Sequence, residues 1–522
     1  MLRRIERSQL QDLAAQSLFT LPDADLDEYL KVAEVFFADL DKLWAEADIE
    51  PANMSAVRDV GRRPRPGEDP YNAVVRWCQV KAPNGGILAG KRVGLKDSMA
   101  VAGIPMTCGS AVMQGYVPNE DSVLASRLLA AGAEIVAMLN MDDFAFAGDG
   151  STSHYGPALN PSDPSRLAGG SSSGSASALF YPNVDITFGT DQGGSIRVPA
   201  SWCGVLGLKP THGLVPYTGI FGIDQTFDHV GPLARSVADI ALALDAVAGK
   251  HASDPRQFDR PPENYSEVVT KAPDRLDGVR LGVLIEGMHS AAEADPETAL
   301  ATSEVVGQFA SLGAEVREVS VPAHLTNVGL AYASVTEGIA ATVNSFGNGY
   351  HWKGRYSTGL ALGFGKGLSE LGDELPATVK IAVVVGNYLK RHYFGSLYAK
   401  AQNLRPSLRA AYDQVLTEVD YLVMPTTPMR AHKVAADVSL SERLLRCWNM
   451  LGNTTPFDMT GHPSLSMPAG KADGLPVGLM VTGRMFDEAR ILSFARTYEQ
   501  AFGWFPRTVQ RGREIERSLV MG

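Results

Sequence analysis

Cysteine, histidine motifs and long apolar runs are all missing or scarce in this 522-residue chain, and each scarcity excludes something. Four cysteines (Cys78, Cys108, Cys203 and Cys447) are too few and too scattered for a disulfide scaffold, and no C-x-x-C pair occurs to hold a metal or run redox chemistry. They read as buried thiols in a reducing compartment, so a cytoplasmic location is expected. No segment approaches ~20 continuous apolar residues, so no membrane span is expected. The basic start Met1-Leu2-Arg3-Arg4 is followed by no apolar stretch of the secretory kind. Positive charge is in deficit: 47 Lys and Arg stand against 58 Asp and Glu, a net charge of −11. Nucleic-acid binding needs clustered cations facing phosphates, and a short run such as Arg62-Arg63-Pro64-Arg65 reads as solvated loop instead. The ten histidines sit in no hydrolase motif, and His212 and His462 read as packing or hydrogen-bonding residues. There is no phosphate-cradling G-x-x-x-x-G-K-[ST].

What is present is ample material for a core, with 45% hydrophobic residues, in a chain too long for one ordinary domain. Residues 1–70 read as an acidic helical domain ending in a Pro/Gly/Arg-rich linker. Leu30, Ala33, Phe37, Leu40 and Trp44 recur at helical spacing and form an apolar face that must bury against the main domain or a second subunit. From residue 71 strands and helices alternate through 335. Helical signal dominates residues 336–415, an inserted small domain or cap, and the core pattern returns over 416–522. This grammar predicts an α/β fold: a large mixed, mostly parallel β-sheet flanked by helices on both faces.

One region departs from structural composition. Gly169-Gly170-Ser171-Ser172-Ser173-Gly174-Ser175 and Gly189-Thr190-Asp191-Gln192-Gly193-Gly194-Ser195 are two glycine-serine loops whose serines 171 and 195 lie 24 residues apart. Glycines let the chain take positive φ and bring main-chain N–H groups close to a bound atom. A serine emerging from such a loop combines an exposed hydroxyl with nearby amide donors, the needs of a nucleophile and its oxyanion hole. A flexible linker fails as an explanation, because apolar strand residues lie immediately around both loops. For the base, Lys96 ends the apolar run Val93-Gly94-Leu95, where burial would favour the neutral amine. Taken alone, it reads more readily as a surface lysine in a strand-to-loop turn.

Together these segments resemble the amidase-signature family. The resemblance rests on Val-Gly-Leu-Lys96-Asp, Gly-Gly-Ser171-Ser-Ser-Gly-Ser, Gly-Thr-Asp-Gln-Gly-Gly-Ser195-Ile-Arg, and the run Cys203 to Thr211. Asn140 to Ala145, Tyr421 to Pro428 and Gly474 to Gly478 extend it over about residues 71–510. The N-terminal helical extension looks most like bacterial amidases associated with nitrile metabolism. The resemblance implies a Ser-cisSer-Lys set: Ser195 as nucleophile, Ser171 after a cis peptide as proton relay, and Lys96 as base. It implies an oxyanion hole from the N–H groups of Gln192, Gly193, Gly194 and Ser195, with no metal or other cofactor. Asp191 and Arg197 flank the loop and are expected to hold it rather than react. Phe146 lines the acyl pocket or is a plain core aromatic. The expected reaction is hydrolysis of a small aliphatic or aromatic amide to acid and ammonia or amine, by a homodimer without membrane or nucleic-acid partners. Carbamates, esters and anilides stay open on the same catalytic set. The alternative is the glutaminase component of a tRNA-dependent amidotransferase.

Overall fold

A computed structural model describes residues 1–49, 53–83, 85–289, 294–326, 328–434 and 438–504. The chain divides into two compact units, Met1–Ala52 and Asn53–Gly522. The first unit holds α1 (Arg7–Gln16) and α2 (Leu26–Ala45). Of the apolar face expected on α2, Leu30, Ala33 and Phe37 are half-buried, whereas Leu40 and Trp44 are exposed together with Val32, Val35, Phe36 and Leu43. Arg4 braces α2 by pairing with Glu34 and Asp41, each at 2.8 Å, while its guanidinium lies over the Phe37 ring.

Among the described residues the second unit holds fourteen strands. In chain order they are β1 (Val57–Arg62), β2 (Val74–Lys81), β3 (Arg92–Lys96), β4 (Glu134–Leu139), β5 (Leu159–Asn160), β6 (Asp163–Leu167), β7 (Ile186–Asp191), β8 (Leu206–Lys209), β9 (His229–Ala234), β10 (Arg280–Leu284), β11 (Glu315–Val319), β12 (Tyr421–Pro425), β13 (Ser464–Ala472) and β14 (Leu475–Thr482). Twelve of them join in one sheet, in the order β1-β2-β4-β3-β7-β9-β8-β13-β14-β12-β10-β11, and β5 pairs with β6 alone. Successive side chains alternate faces. On β12, Tyr421 and Val423 enter one apolar cluster while Leu422 and Met424 enter another, so the sheet is covered on both sides. The helix Val237–Val247 packs against β8 and β9, and the helices Arg197–Cys203 and Pro296–Ser311 both pack against β13 and β14.

The sheet is mixed, but parallel pairing does not dominate it. Seven junctions among the described residues are antiparallel and four are parallel. A doubly buried strand reads as a continuous apolar run whichever way its neighbours run, which is why the expectation of a mostly parallel sheet overshot. The parallel pairs fall in two places, β4-β3-β7 and β12-β10-β11. β1 lies inside the stretch read as helix and linker. Its polar sequence is held as a strand by pairing with β2, whose Val74, Val75 and Val80 are buried, so tertiary pairing overrides local composition. The segment 336–415 is helical apart from its connections, with helices at Val328–Asn344, Thr358–Leu371, Ala377–Tyr393 and Ser396–Leu416. Of the expected closing segment 416–522, residues 505–522 lie outside the described residues.

Candidate active site

Three neighbouring parallel strands deliver the site from their carboxyl ends, the edge where open α/β sheets place their ligands. β3 ends on Lys96, β4 runs into the loop Asn140–Asp142, and β7 ends on Thr190 and Asp191. The β3–β7 register sets Leu95 beside Phe188, and so carries Lys96 alongside the Gly189-Thr190 stretch. Lys96 is completely buried. Its Nζ lies 2.7 Å from Ser171 Oγ and 2.8 Å from Thr190 Oγ1, two hydroxyls and no carboxylate. Burial pulls the amine down to about 7, against the opposing charges of Asp142 and Asp191. A second buried lysine, Lys209, is also pulled down to about 7 by burial, but it donates to the main-chain oxygens of His462 and Pro210 and meets no serine. Geometry, not acidity, separates the two.

The Gly170–Ser171 peptide bond is cis. Its surroundings admit no side chain at residue 170, where a Cβ would fall 2.0 Å from Asp142 Oδ2. Asp142 is itself fixed: its carboxylate accepts from Gly150 N and from Thr152 N and Oγ1, and its own N–H donates to Ser171 O at 3.1 Å. The two serine loops meet through the main chain, Ser172 N–H donating to Ser195 O at 3.1 Å. The Ser171 and Ser195 hydroxyls make no hydrogen bond to each other among the described residues, so of the two serines only Ser171 touches Lys96 directly. Catalytic hydrogen bonds of this kind often tighten when substrate arrives.

Behind the loop sits a buried charge cluster. Arg197 donates to Asp191 through Nε at 3.0 Å and Nη2 at 2.9 Å, to Asp458 at 2.7 Å, and to Thr454 O at 2.8 Å. Burial alone would push Asp191 up; the charge and hydrogen bonds of Arg197 reverse this and hold it well below the usual carboxylate range. Burial, with repulsion from Asp191, pushes Asp458 well above that range. Asp191 Oδ2 in turn accepts from Ile196 N–H, the residue after Ser195. On the other side, Gly193 O accepts from Thr454 Oγ1 at 2.5 Å and Thr455 Oγ1 at 3.0 Å. The carbonyl and N–H of one trans peptide point opposite ways, so the Gly194 N–H is turned away from these threonines. Gly194 holds φ at +144°, and a Cβ there would meet Thr454 Oγ1 at 2.3 Å.

A family profile described as Amidase matches residues 78–492. The chain belongs to that family. It is a hydrolase acting on carboxylic amides. Among similar proteins, an enantioselective amidase of Rhodococcus rhodochrous is 36% identical over 508 residues, covering 96% of each chain. A glutamyl-tRNA(Gln) amidotransferase subunit of Methanosarcina mazei is 35% identical, covering 80% of this chain and 85% of its own. The crystal structure of the corresponding Thermotoga maritima subunit superposes with a TM-score of 0.69 at 26% identity, covering 86% of this chain and 89% of that one.

Within this amidase, Lys96, Ser171 and Thr190 are in direct contact, and Asp191 and Arg197 are paired as expected. Phe146 is buried and packs edge-on to Trp448, with ring centroids 6.2 Å apart. It is absent from the wall of the large cavity of about 600 Å³ lined by Ala100, Met106, Tyr217, Phe221, Ile223 and Asp228, among others. That cavity touches the site through Tyr217, whose hydroxyl accepts from Gln192 Nε2 at 2.8 Å. Sequence reasoning passed over Thr190, Tyr217, Thr454, Thr455 and Asp458. Thr190 was within reach, standing inside the Gly-Thr-Asp run; the others come from segments that only the fold brings near. All four cysteines are free and buried. Among the described residues no helix is long and apolar enough to cross a membrane.

Proposed function

We propose that Ser195 attacks the amide carbonyl while Ser171 passes the Ser195 proton to Lys96. The carbon–oxygen bond forms, the oxyanion rests on the N–H groups of Gln192, Gly193, Gly194 and Ser195, and the carbon–nitrogen bond breaks. The leaving ammonia or amine takes the proton back from Lys96 through Ser171. Water then enters by the same relay and releases the acid. The observation that carries this reading is the 2.7 Å contact from a fully buried Lys96 to Ser171 at the start of the cis-linked serine loop. Asp191 and Arg197 hold the loop from behind and touch no reacting atom.

In this reading the substrate is a small aliphatic or aromatic amide, which the aromatic part of the cavity wall supports. Phe221 lines the cavity and is backed by Phe144 and Phe364, at centroid distances of 5.0 and 5.7 Å. The groups within 4 Å of a Cβ built on Gly193 are Thr455 and Leu451, neither of them charged. A second reading, ammonia release from glutamine within a tRNA-dependent amidotransferase, is favoured by the 35% identity to the Methanosarcina mazei protein. Ammonia release by the purified protein across aliphatic, aromatic and glutamine amides separates the two. Turnover of the apolar amides and indifference to glutamine is expected, and it should vanish in Ser195→Ala. Undiminished hydrolysis by that variant removes the mechanism. The exposed apolar side chains of α2 fit a homodimer.

A further inference from the structure

Tyr217 stands outside the catalytic set, yet a chain of side-chain hydrogen bonds joins it to Lys96. Lys96 Nζ donates to Thr190 Oγ1 at 2.8 Å, and Thr190 Oγ1 donates to Gln192 Oε1 at 3.4 Å. Gln192 Nε2 donates to the Tyr217 hydroxyl at 2.8 Å, which donates to Phe221 O at 3.1 Å. We propose that Tyr217 is a positioning residue for the base: by fixing which way the Gln192 amide faces, it turns the Thr190 hydroxyl and so reserves the Lys96 lone pair for Ser171. The inference rests on the reading of Lys96 as the base.

Counting donors and acceptors along the chain fixes its direction. A main-chain carbonyl only accepts, so the single proton of Tyr217 belongs to Phe221 O. Burial pushes the Tyr217 phenol well above its ordinary range, so that proton stays in place at every working pH. The phenol oxygen is then left to accept, and of the two ends of the Gln192 amide only the NH₂ can give it a proton. The oxygen end of the amide therefore faces Thr190, whose hydroxyl proton goes to it. Thr190 Oγ1 is left to accept from Lys96. A neutral amine that donates to Thr190 keeps its lone pair for the Ser171 proton. Turn the Gln192 amide over and every bond reverses: NH₂ faces Thr190, Thr190 donates to Lys96, and the lone pair is taken. Asp228 reinforces the observed sense. Its carboxyl stands beside Gln192 and Tyr217, accepts from Ile223 N–H at 3.1 Å, and leaves Oδ2 buried without a partner among the described residues. The charged and titratable groups that face Lys96 are Asp142, Asp191, Cys108 and Asp228, and a substitution at Tyr217 replaces none of them.

Tyr217→Phe keeps the ring that packs under the Arg256 guanidinium and deletes the anchor alone. Its kcat on the apolar amide turned over fastest should fall about tenfold, the scale of one lost hydrogen bond, with KM little changed. The rise of kcat/KM with pH should move to lower pH, because a hydroxyl that donates to the amine favours its neutral form. Thr190→Val should lose activity and Thr190→Ser should retain it. The double variant Tyr217→Phe/Thr190→Val should be no slower than Thr190→Val alone, since both cut one chain. If Tyr217→Phe fails to fold, Gln192→Leu cuts the same chain and enters the same cycle. An unchanged kcat and pH profile in Tyr217→Phe, or losses that multiply in the double variant, overturns the inference while Ser195→Ala stays inactive. Turnover surviving in Ser195→Ala overturns the underlying mechanism instead.

Discussion

Lys96 meets no carboxylate within hydrogen-bonding distance among the described residues, so its acidity comes from lost hydration rather than from a neighbouring cation. In the proposed role of base this amine works when uncharged. The kcat/KM of the amidase should therefore rise with pH through about 7 as Lys96 gives up its proton. Lys96→Arg, charged at every accessible pH, should be inactive throughout, and a flat profile in the unsubstituted protein contradicts the assignment. The same burial sets the sign of the stability change with pH. Between about 7 and 10.5 the unfolded chain holds a proton on this amine that the folded chain does not. Stability from this group therefore increases as pH climbs through that window.

At the scale of elements, β7 and the helix Arg197–Cys203 are joined by the loop that carries Ser195 and clamped by one guanidinium. Arg197 has carboxylates on two sides, and neither sees water. Removing one partner from such a buried set leaves an uncompensated charge, a loss of about 3–5 kcal/mol. Arg197→Met should lower the melting temperature clearly and cut kcat with it, since Thr454 and Ile196 lose their shared support. A thermal melt that leaves the transition where it was contradicts that role. This pairing was legible in sequence because Asp191 and Arg197 flank one motif. Asp458 and Thr454 were not, being linked to Arg197 across 261 and 257 positions. Short polar side chains in Asn453-Thr454-Thr455-Pro456 give no local hint of the carbonyl they will hold. The helix between the serine loops begins at Ser173, where Ser172 and Ser173 turn inward instead of prolonging a loop.

For the whole molecule, the α/β alternation and the two faces of apolar residues could be read from periodicity, but strand direction could not. The antiparallel set β9-β8-β13-β14-β12 joins chain segments from 206 to 482, and nothing in a buried apolar run specifies its neighbour's sense. Every hydrogen-bonding partner described for the site is drawn from residues 53–504. A chain starting at Asn53 is accordingly expected to keep its turnover and, under the proposal that the exposed face of α2 pairs two copies, to have a lower mass in light scattering than the full chain's proposed homodimer. Lost turnover, or an unaltered mass, contradicts this division of labour.

The hold of Thr454 and Thr455 on Gly193 O has a consequence for how this protein comes into being. Lys96, Ser171 and Ser195 have all left the ribosome long before the segment that steadies them is translated. A polypeptide cut short between Ser195 and Thr454 should thus carry all three of these residues and show no turnover. Competence is therefore expected only late in synthesis.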